Sequence, residues 1–333
     1  MFNRSPIHTG HHLIERLSID PLIPNNYLES AWLQTIATQI WPRNVLRKGH
    51  ELHFVELDDG DQLCLVEMKP STQARAVIIL VHGLNGDYQS HYIQRMAMQS
   101  NQEGWIAYCV NLRNCGPSLG YSKTIYNAGN SSDLITVMQW LKSKHPDIPR
   151  FLCGYSLGGN ISLKAMGESE ELLQGGAIVS TPVDLLASAN KLALPKNKFF
   201  NRNLLKYCMQ QLHNMRPYLK KAPNYKPLKW HLLKDFDDNV TAPMAGFIDA
   251  KDYYKKCSSL HKSADVKIPV LILSSTDDPM VDHSYLSITQ QNSNLEHLIT
   301  NYGGHLGFIQ HGETGIHWLE DTLCSWFKSL LKI

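Results

Sequence analysis

Nowhere does the chain carry an apolar run approaching the roughly 20 residues a membrane-spanning helix requires, so a membrane-spanning protein is not expected. An excess of one charge is missing too. Thirty-two basic against thirty acidic side chains leave a near-neutral molecule, so neither the basic footprint of a nucleic-acid binder nor an acidic tail is indicated. The seven cysteines (Cys64, Cys109, Cys115, Cys153, Cys208, Cys257 and Cys324) form no CxxC pair. Scattered and odd in number, they fit buried free thiols in a reducing compartment better than a disulfide framework or a zinc site. His8, His11 and His12 lack Asp, Glu or Cys partners at ligand spacing, so no metal or other cofactor is expected. The opening residues Met1 to Pro6 are followed by a His-rich stretch without the apolar core of a secretion signal, and a cytoplasmic location is expected.

What is present alternates. Glu51 to Leu57 and Gln62 to Met68 read as two strands around the turn Asp58-Asp59-Gly60-Asp61, an antiparallel hairpin. Ala76 to Val81, Trp105 to Val110, Ala177 to Val179 and Val270 to Leu273 are short apolar runs of the kind buried on both faces of a parallel sheet. Helical patterns lie between them, such as Ser132 to Lys144 with Ser131 or Ser132 as N-cap and Leu134, Val137, Met138 and Leu141 on one stripe. Strand and helix in alternation predict an α/β fold, a mostly parallel central sheet with helices on both faces and an antiparallel leading hairpin.

Two segments stand outside this rhythm. Residues 182–264 show helix-like stretches (Leu185 to Leu192, Phe199 to Leu212) and prolines (Pro217, Pro223, Pro227) but no convincing strand, which predicts a helical cap insertion over the ligand-binding ends of the strands. Its Phe199, Phe200, Tyr207, Met209, Met215, Tyr218, Tyr225 and Trp230 could line an apolar pocket, with at least half of them forming the cap's own small core. The second is an N-terminal extension over 1–45, where Trp32, Ile36, Ile40 and Trp41 recur at helical spacing. They dock on the protein's own core or, as the less favoured alternative, touch a membrane surface. Residues 1–333 are otherwise read as one domain.

Gly154-Tyr155-Ser156-Leu157-Gly158 follows the apolar run from Arg150 and precedes a helical pattern. That is the setting of a nucleophile elbow, in which a sharp strand-to-helix turn exposes a serine and leaves no room for side chains two residues to either side. A serine hydroxyl needs a base beside it, an acid to orient the base, and donors for the oxyanion. In chain order, Asp277-Asp278-Pro279 ends the Val270 strand and offers the acid; Asp278, furthest past the strand, is preferred over Asp277, which is expected to bond local backbone. His305 lies in Gly303-Gly304-His305-Leu306-Gly307 after the last strand-like run, Leu295 to Ile299, and is the expected base; His283, His297, His311 and His317 lack that loop. Backbone amides of Leu157 and of Leu84, after His82-Gly83, are the expected oxyanion donors, with His82 holding the loop.

Together, VHGLNGDYQSHY (81–92), CGYSLGGNISL (153–163), GFIDAKDYYKKCSS (246–259), STDDPMVDH (275–283) and YGGHLGFI (302–309) resemble the YheT-like α/β-hydrolases over roughly residues 30–330. The resemblance implies a serine esterase with Ser156 as nucleophile, Asp278 as acid and His305 as base, acting on a small-molecule or lipid ester. An apolar acyl group of short to medium length fits the aromatic and Met-rich cap. An acyltransferase using the same residues, or a non-catalytic binding module on the same fold, is the alternative.

Overall fold

The computed structural model describes residues 7–24, 28–40, 50–169, 172–220, 230–310 and 317–331. Trp41, Pro223, Tyr225, Pro227, His311 and the side chain of Ile40 lie outside the described residues. A nine-stranded sheet runs in the order β1-β9-β8-β7-β6-β4-β5-β3-β2. Its parallel centre consists of β4 (Ala76–Val81), β5 (Trp105–Val110), β6 (Arg150–Tyr155), β7 (Gly175–Val179), β8 (Val270–Ser275) and β9 (Leu295–Thr300). The hairpin β2 (His50–Glu56) and β3 (Gln62–Met68) adds antiparallel at one edge. At the other edge β1 (Ile7–Thr9) pairs antiparallel with β9, a strand too short and polar to be legible in the sequence.

The β-period explains the two-sided core. Along β4, Val77, Ile79 and Val81 enter one cluster while Ala76, Ile78 and Leu80 enter the other, all fully buried, so each face must be covered by helices. On the second face lie α1 (His11–Leu17) and, beyond α2 (Ala31–Ile40), α3 (His91–Gln102). The first face is covered by α4 (Ser131–Lys144) and α5 (Leu157–Glu168). Helix α4 begins at Ser131 with Asn130 as N-cap; the Ser131 hydroxyl does not cap but bonds Glu168 Oε2 at 2.6 Å, tying α4 to α5.

Between β7 and β8 the described residues form α6 (Leu185–Leu192), α7 (Lys198–Met215), α8 (Leu233–Phe236), a π-helical turn (Asp237–Thr241), α9 (Ala242–Met244) and α10 (Ala250–Cys257). A separate small core joins Leu205, Cys208, Leu212 and Met215 of α7 to Phe236 and Val240. Helix α11 (Leu286–Thr289) follows β8, and α12 (Trp318–Leu330) completes the second face. All seven cysteines are free and buried. Among the described residues no helix is long and apolar enough to cross a membrane.

Candidate active site

Ser156 is the single residue between β6 and α5, at φ 51° and ψ −122°. A non-glycine residue at that φ is strained, and the surrounding packing must hold it there. It does so by close approach: a Cβ on Gly158 would strike the carbonyl oxygens of His82 and Val81, and one on Gly154 would strike Ser162 Oγ and Gly158 O. Only glycine allows the elbow to sit this tightly against the loop after β4.

That loop is fastened on both sides. His82 is buried, bonds Gly83 O through Nδ1 at 2.8 Å, and accepts the Leu112 amide at Nε2 at 3.1 Å. Desolvation by burial holds its pKa down, so it stays a neutral brace. The Gly83 amide donates to Tyr92 Oη at 3.0 Å and the Asn85 amide to Tyr126 Oη at 3.0 Å. Leu84, between them, and Leu157, first in α5, have amides with no hydrogen-bond acceptor among the described residues. Both residues border the same cavity as Ser156.

Strand ends of a parallel sheet converge on one edge, and here they carry the three predicted side chains. His305, after β9, places Nε2 3.0 Å from Ser156 Oγ and Nδ1 2.8 Å from Asp278 Oδ2, after β8. With the carboxylate accepting at Nδ1–H, the Nε2 lone pair is left facing the serine. Asp278 is 1% exposed. Its Oδ1 accepts the amides of Met280 and Val281 at 2.7 and 3.0 Å. Local backbone bonding, expected of Asp277, is made by Asp278. Asp277 instead reaches across to the Gly304 amide at 2.9 Å, fixing the peptide just before His305. Burial pushes the Asp277 carboxyl above its usual range.

Three features of the site were not legible in the sequence. The first is α2, whose Thr35 Oγ1 accepts the His305 amide at 2.9 Å while Gln34 bonds both the N–H and the C=O of Ile309, each at 2.8 Å. This helix docks through buried Gln34 and Thr35, while Trp32, predicted to lie on its docking stripe, is 45% exposed. The second is the lining from the 182–264 segment. A cavity of about 230 Å³ at Ser156 and His305 is bordered by Leu185, Leu192, Leu204, Leu233, Tyr253 and Tyr254. Of the eight predicted pocket residues, Phe199, Tyr207 and Tyr218 are exposed, Phe200 is buried away from the cavity, and Met209 and Trp230 pack on the small core. Of those among the eight that are described, Met215 alone borders a void, a space of about 40 Å³ that adjoins the larger cavity through Leu84 and Leu157.

The third is Asp237 in the π-helical turn, on the wall of both cavities. Its Oδ2 accepts the Tyr254 hydroxyl at 2.6 Å, which gives the Asp252-Tyr253-Tyr254 motif a role in shaping this wall. Burial pushes the Asp237 carboxyl up to about 6. A carboxyl that binds its proton more tightly when folded stabilises the protein fully below its unfolded pKa, near 4, and that contribution is lost as pH rises through about 6. Asp237→Asn removes the titration and keeps an oxygen for Tyr254. Its stability relative to the parent chain, read from Tm at each pH, should therefore rise between pH 4.5 and pH 7.5 by about 2 kcal/mol, the larger part of the free energy that a two-unit shift represents. An equal difference at both pH values would contradict this.

Of the histidines set aside above, His283 bonds Ser274 Oγ at 2.8 Å and His297 bonds Thr289 Oγ1 at 2.9 Å. Among the described residues one group has metal-ligand proximity, Glu51, His53 and Glu67 on the leading hairpin. Lys69 already sits 2.8 Å from Glu51 and 3.5 Å from Glu67, neutralising the charge a cation would need.

Comparison with known proteins bears on the fold and the family. The chain is 29% identical to the candidate esterase YheT of Escherichia coli (strain K12), over 93% of this chain and 94% of that one. It is 27% identical to the phospholipase ABHD3 of Homo sapiens, over 87% of this chain and 75% of the human one. Among solved structures, an esterase of Pyrococcus furiosus superposes with a TM-score of 0.57 at 18% identity, covering 86% of this chain and 96% of that one, a likeness of fold. Residues 76–312 match the sequence profile of the alpha/beta hydrolase fold, and the chain belongs to that family.

Proposed function

We propose that this protein is a serine hydrolase of carboxylic esters, with Ser156 as nucleophile, His305 as base, Asp278 as acid, and the amides of Leu84 and Leu157 as oxyanion donors. The observation that carries the reading is the pair of hydrogen bonds from Ser156 Oγ through the His305 ring to Asp278, at 3.0 and 2.8 Å, opening on an apolar cavity. Ser156 Oγ attacks the ester carbonyl carbon as its proton passes to His305 Nε2. Negative charge gathers on the carbonyl oxygen, where the two amides receive it, and Asp278 steadies the imidazolium. The alcohol then leaves with the proton from Nε2. Water, deprotonated by the same nitrogen, attacks the acyl-enzyme and releases the acid.

Similarity to an esterase and a phospholipase supports an ester as substrate. The space available bears on the acyl side of that ester. A cavity of about 230 Å³ walled by leucines lies below the ~300–1,000 Å³ common for drug-sized ligands, which favours a short to medium acyl chain. In this reading residues 182–264 are a cap over the site and residues 1–45 an extension whose α2 holds the His305 loop.

The test is a fluorophosphonate probe together with nitrophenyl esters of increasing chain length. The expected result is labelling mapped to Ser156 and a maximum of kcat/KM at short to medium chains. Folded protein that neither labels nor turns over any ester would support the binding-module alternative, and acyl transfer to an added alcohol in preference to water would support the acyltransferase.

A further inference from the structure

The near-neutral total charge conceals a sharp segregation. In the fifty residues 185–234 there are eleven Lys and Arg and no Asp or Glu, while the rest of the chain sets 21 basic against all 30 acidic side chains. Much of this charge is on one surface. Lys198, Arg202 and Lys206 stand at i, i+4 and i+8 along α7, hence on one face, and Lys196, Arg216 and Lys220 continue it at the helix ends; all six are exposed. None of the six has an ion-pair partner among the described residues, whereas Lys234, at the far end of the stretch, is paired with Asp238 at 2.7 Å.

Apolar groups are set among these cations. Leu194, Phe199, Tyr207 and Tyr218 are each between 44% and 54% exposed, and the Trp32 ring of α2, also exposed, lies 5.7 Å from that of Phe199. The opposite side of α7 supplies Leu204 to the Ser156 cavity, and α2 supplies Thr35 to it. The two helices that carry the exposed Trp32–Phe199 pair thus also wall the cavity.

We infer that the outer face of α7, with Trp32 of α2, is a docking surface for an anionic phospholipid bilayer. Amines and guanidinium groups meet the headgroup phosphates while the aromatic rings enter the interface, the arrangement expected of a peripheral amphipathic helix. A nucleic acid would satisfy the cations and stack on the rings but leave the exposed Leu194 without an apolar partner, and it is the competing outcome of the test. That docking brings a lipid ester to the cavity rests on the hydrolase reading above; docking itself does not.

The test is sedimentation of the full chain with vesicles of phosphatidylcholine alone or mixed with phosphatidylglycerol. Binding is expected only with phosphatidylglycerol, and it should disappear between 0.1 and 1 M salt as the screening length falls from about 10 to about 3 Å. Each basic residue near an anionic leaflet strengthens binding roughly fivefold, so Lys198→Glu, Arg202→Glu and Lys206→Glu combined should lose about 100-fold or more. Phe199→Ser should weaken binding with little change in its salt dependence. Circular dichroism and Tm of the triple variant should match the parent chain, separating lost docking from lost folding. Equal binding to both vesicle types, binding to neither, or a folded triple variant that binds like the parent would overturn the proposal, as would tighter binding to an oligonucleotide than to anionic vesicles. Sedimentation requires no turnover and hydrolysis of a soluble nitrophenyl ester requires no membrane, so failure of one reading is distinct from failure of the other.

Discussion

Ser156→Ala is expected to lower kcat on a carboxylic ester by about 10⁴- to 10⁶-fold with little change in KM, because the hydroxyl forms a bond only as the reaction proceeds and contributes little to ground-state binding. The substitution deletes one oxygen. The backbone at this position is held by the packing of Gly154 and Gly158 against their neighbours and by the Ser156 amide donating to Val179 O at 2.9 Å, none of which involves Oγ. Tm should therefore stay within a few degrees of the parent chain. Turnover retained in folded Ser156→Ala protein would remove Ser156 from the mechanism, since the residual rate from an oxyanion site alone is of order 10³–10⁴ over water and far below that of the complete set.

Substituting the two adjacent aspartates separately gives the second large effect, and their responses should diverge. In Asp278→Asn the side-chain oxygen can still accept the Met280 and Val281 amides, which turns the amide NH₂ toward His305 Nδ1. An NH₂ there demands a lone pair on Nδ1 and drives the ring proton to Nε2, where it can no longer take the serine proton; a loss of about 10⁴ in kcat is expected. In Asp277→Asn the oxygen facing the Gly304 amide is conserved, and the other carboxylate oxygen is buried without a partner among the described residues, so little is removed. Its kcat should fall by roughly tenfold or less, through looser placement of His305. Steady-state kinetics on one ester for both variants decides the assignment; equal losses, or a larger loss for Asp277→Asn, would contradict it.

This pair also marks a limit of sequence reading. Position along the strand end favours Asp278 over Asp277, which lies nearer the strand and is expected to bond local backbone. Asp278 does reach His305, but it bonds local backbone too, and Asp277 bonds a loop that begins at residue 301, after another strand. Spacing along a strand end gives the order of two side chains, not the direction each takes once the turn closes. Similarly, Thr35 and Gln34 fasten the His305 loop from about 270 residues away, a separation no local pattern can carry. Asp237, one acid among Asp235, Asp237 and Asp238, carries no local signal that sets it apart, and it is buried only where Tyr254 bonds it.

By itself the sequence determined the α/β class, the two-sided burial of the central strands, and the order of the serine, aspartate and histidine segments along the chain. Those follow from local physics, namely the two-residue period of a strand, the 3.6-residue period of a helix, and the few residues able to occupy a tight turn. Only the tertiary structure decided which carboxylate meets His305, which helix braces its loop, which leucines wall the cavity, and which charged face of α7 turns outward. These depend on where side chains distant in sequence converge, and each is settled when packing brings separate elements together.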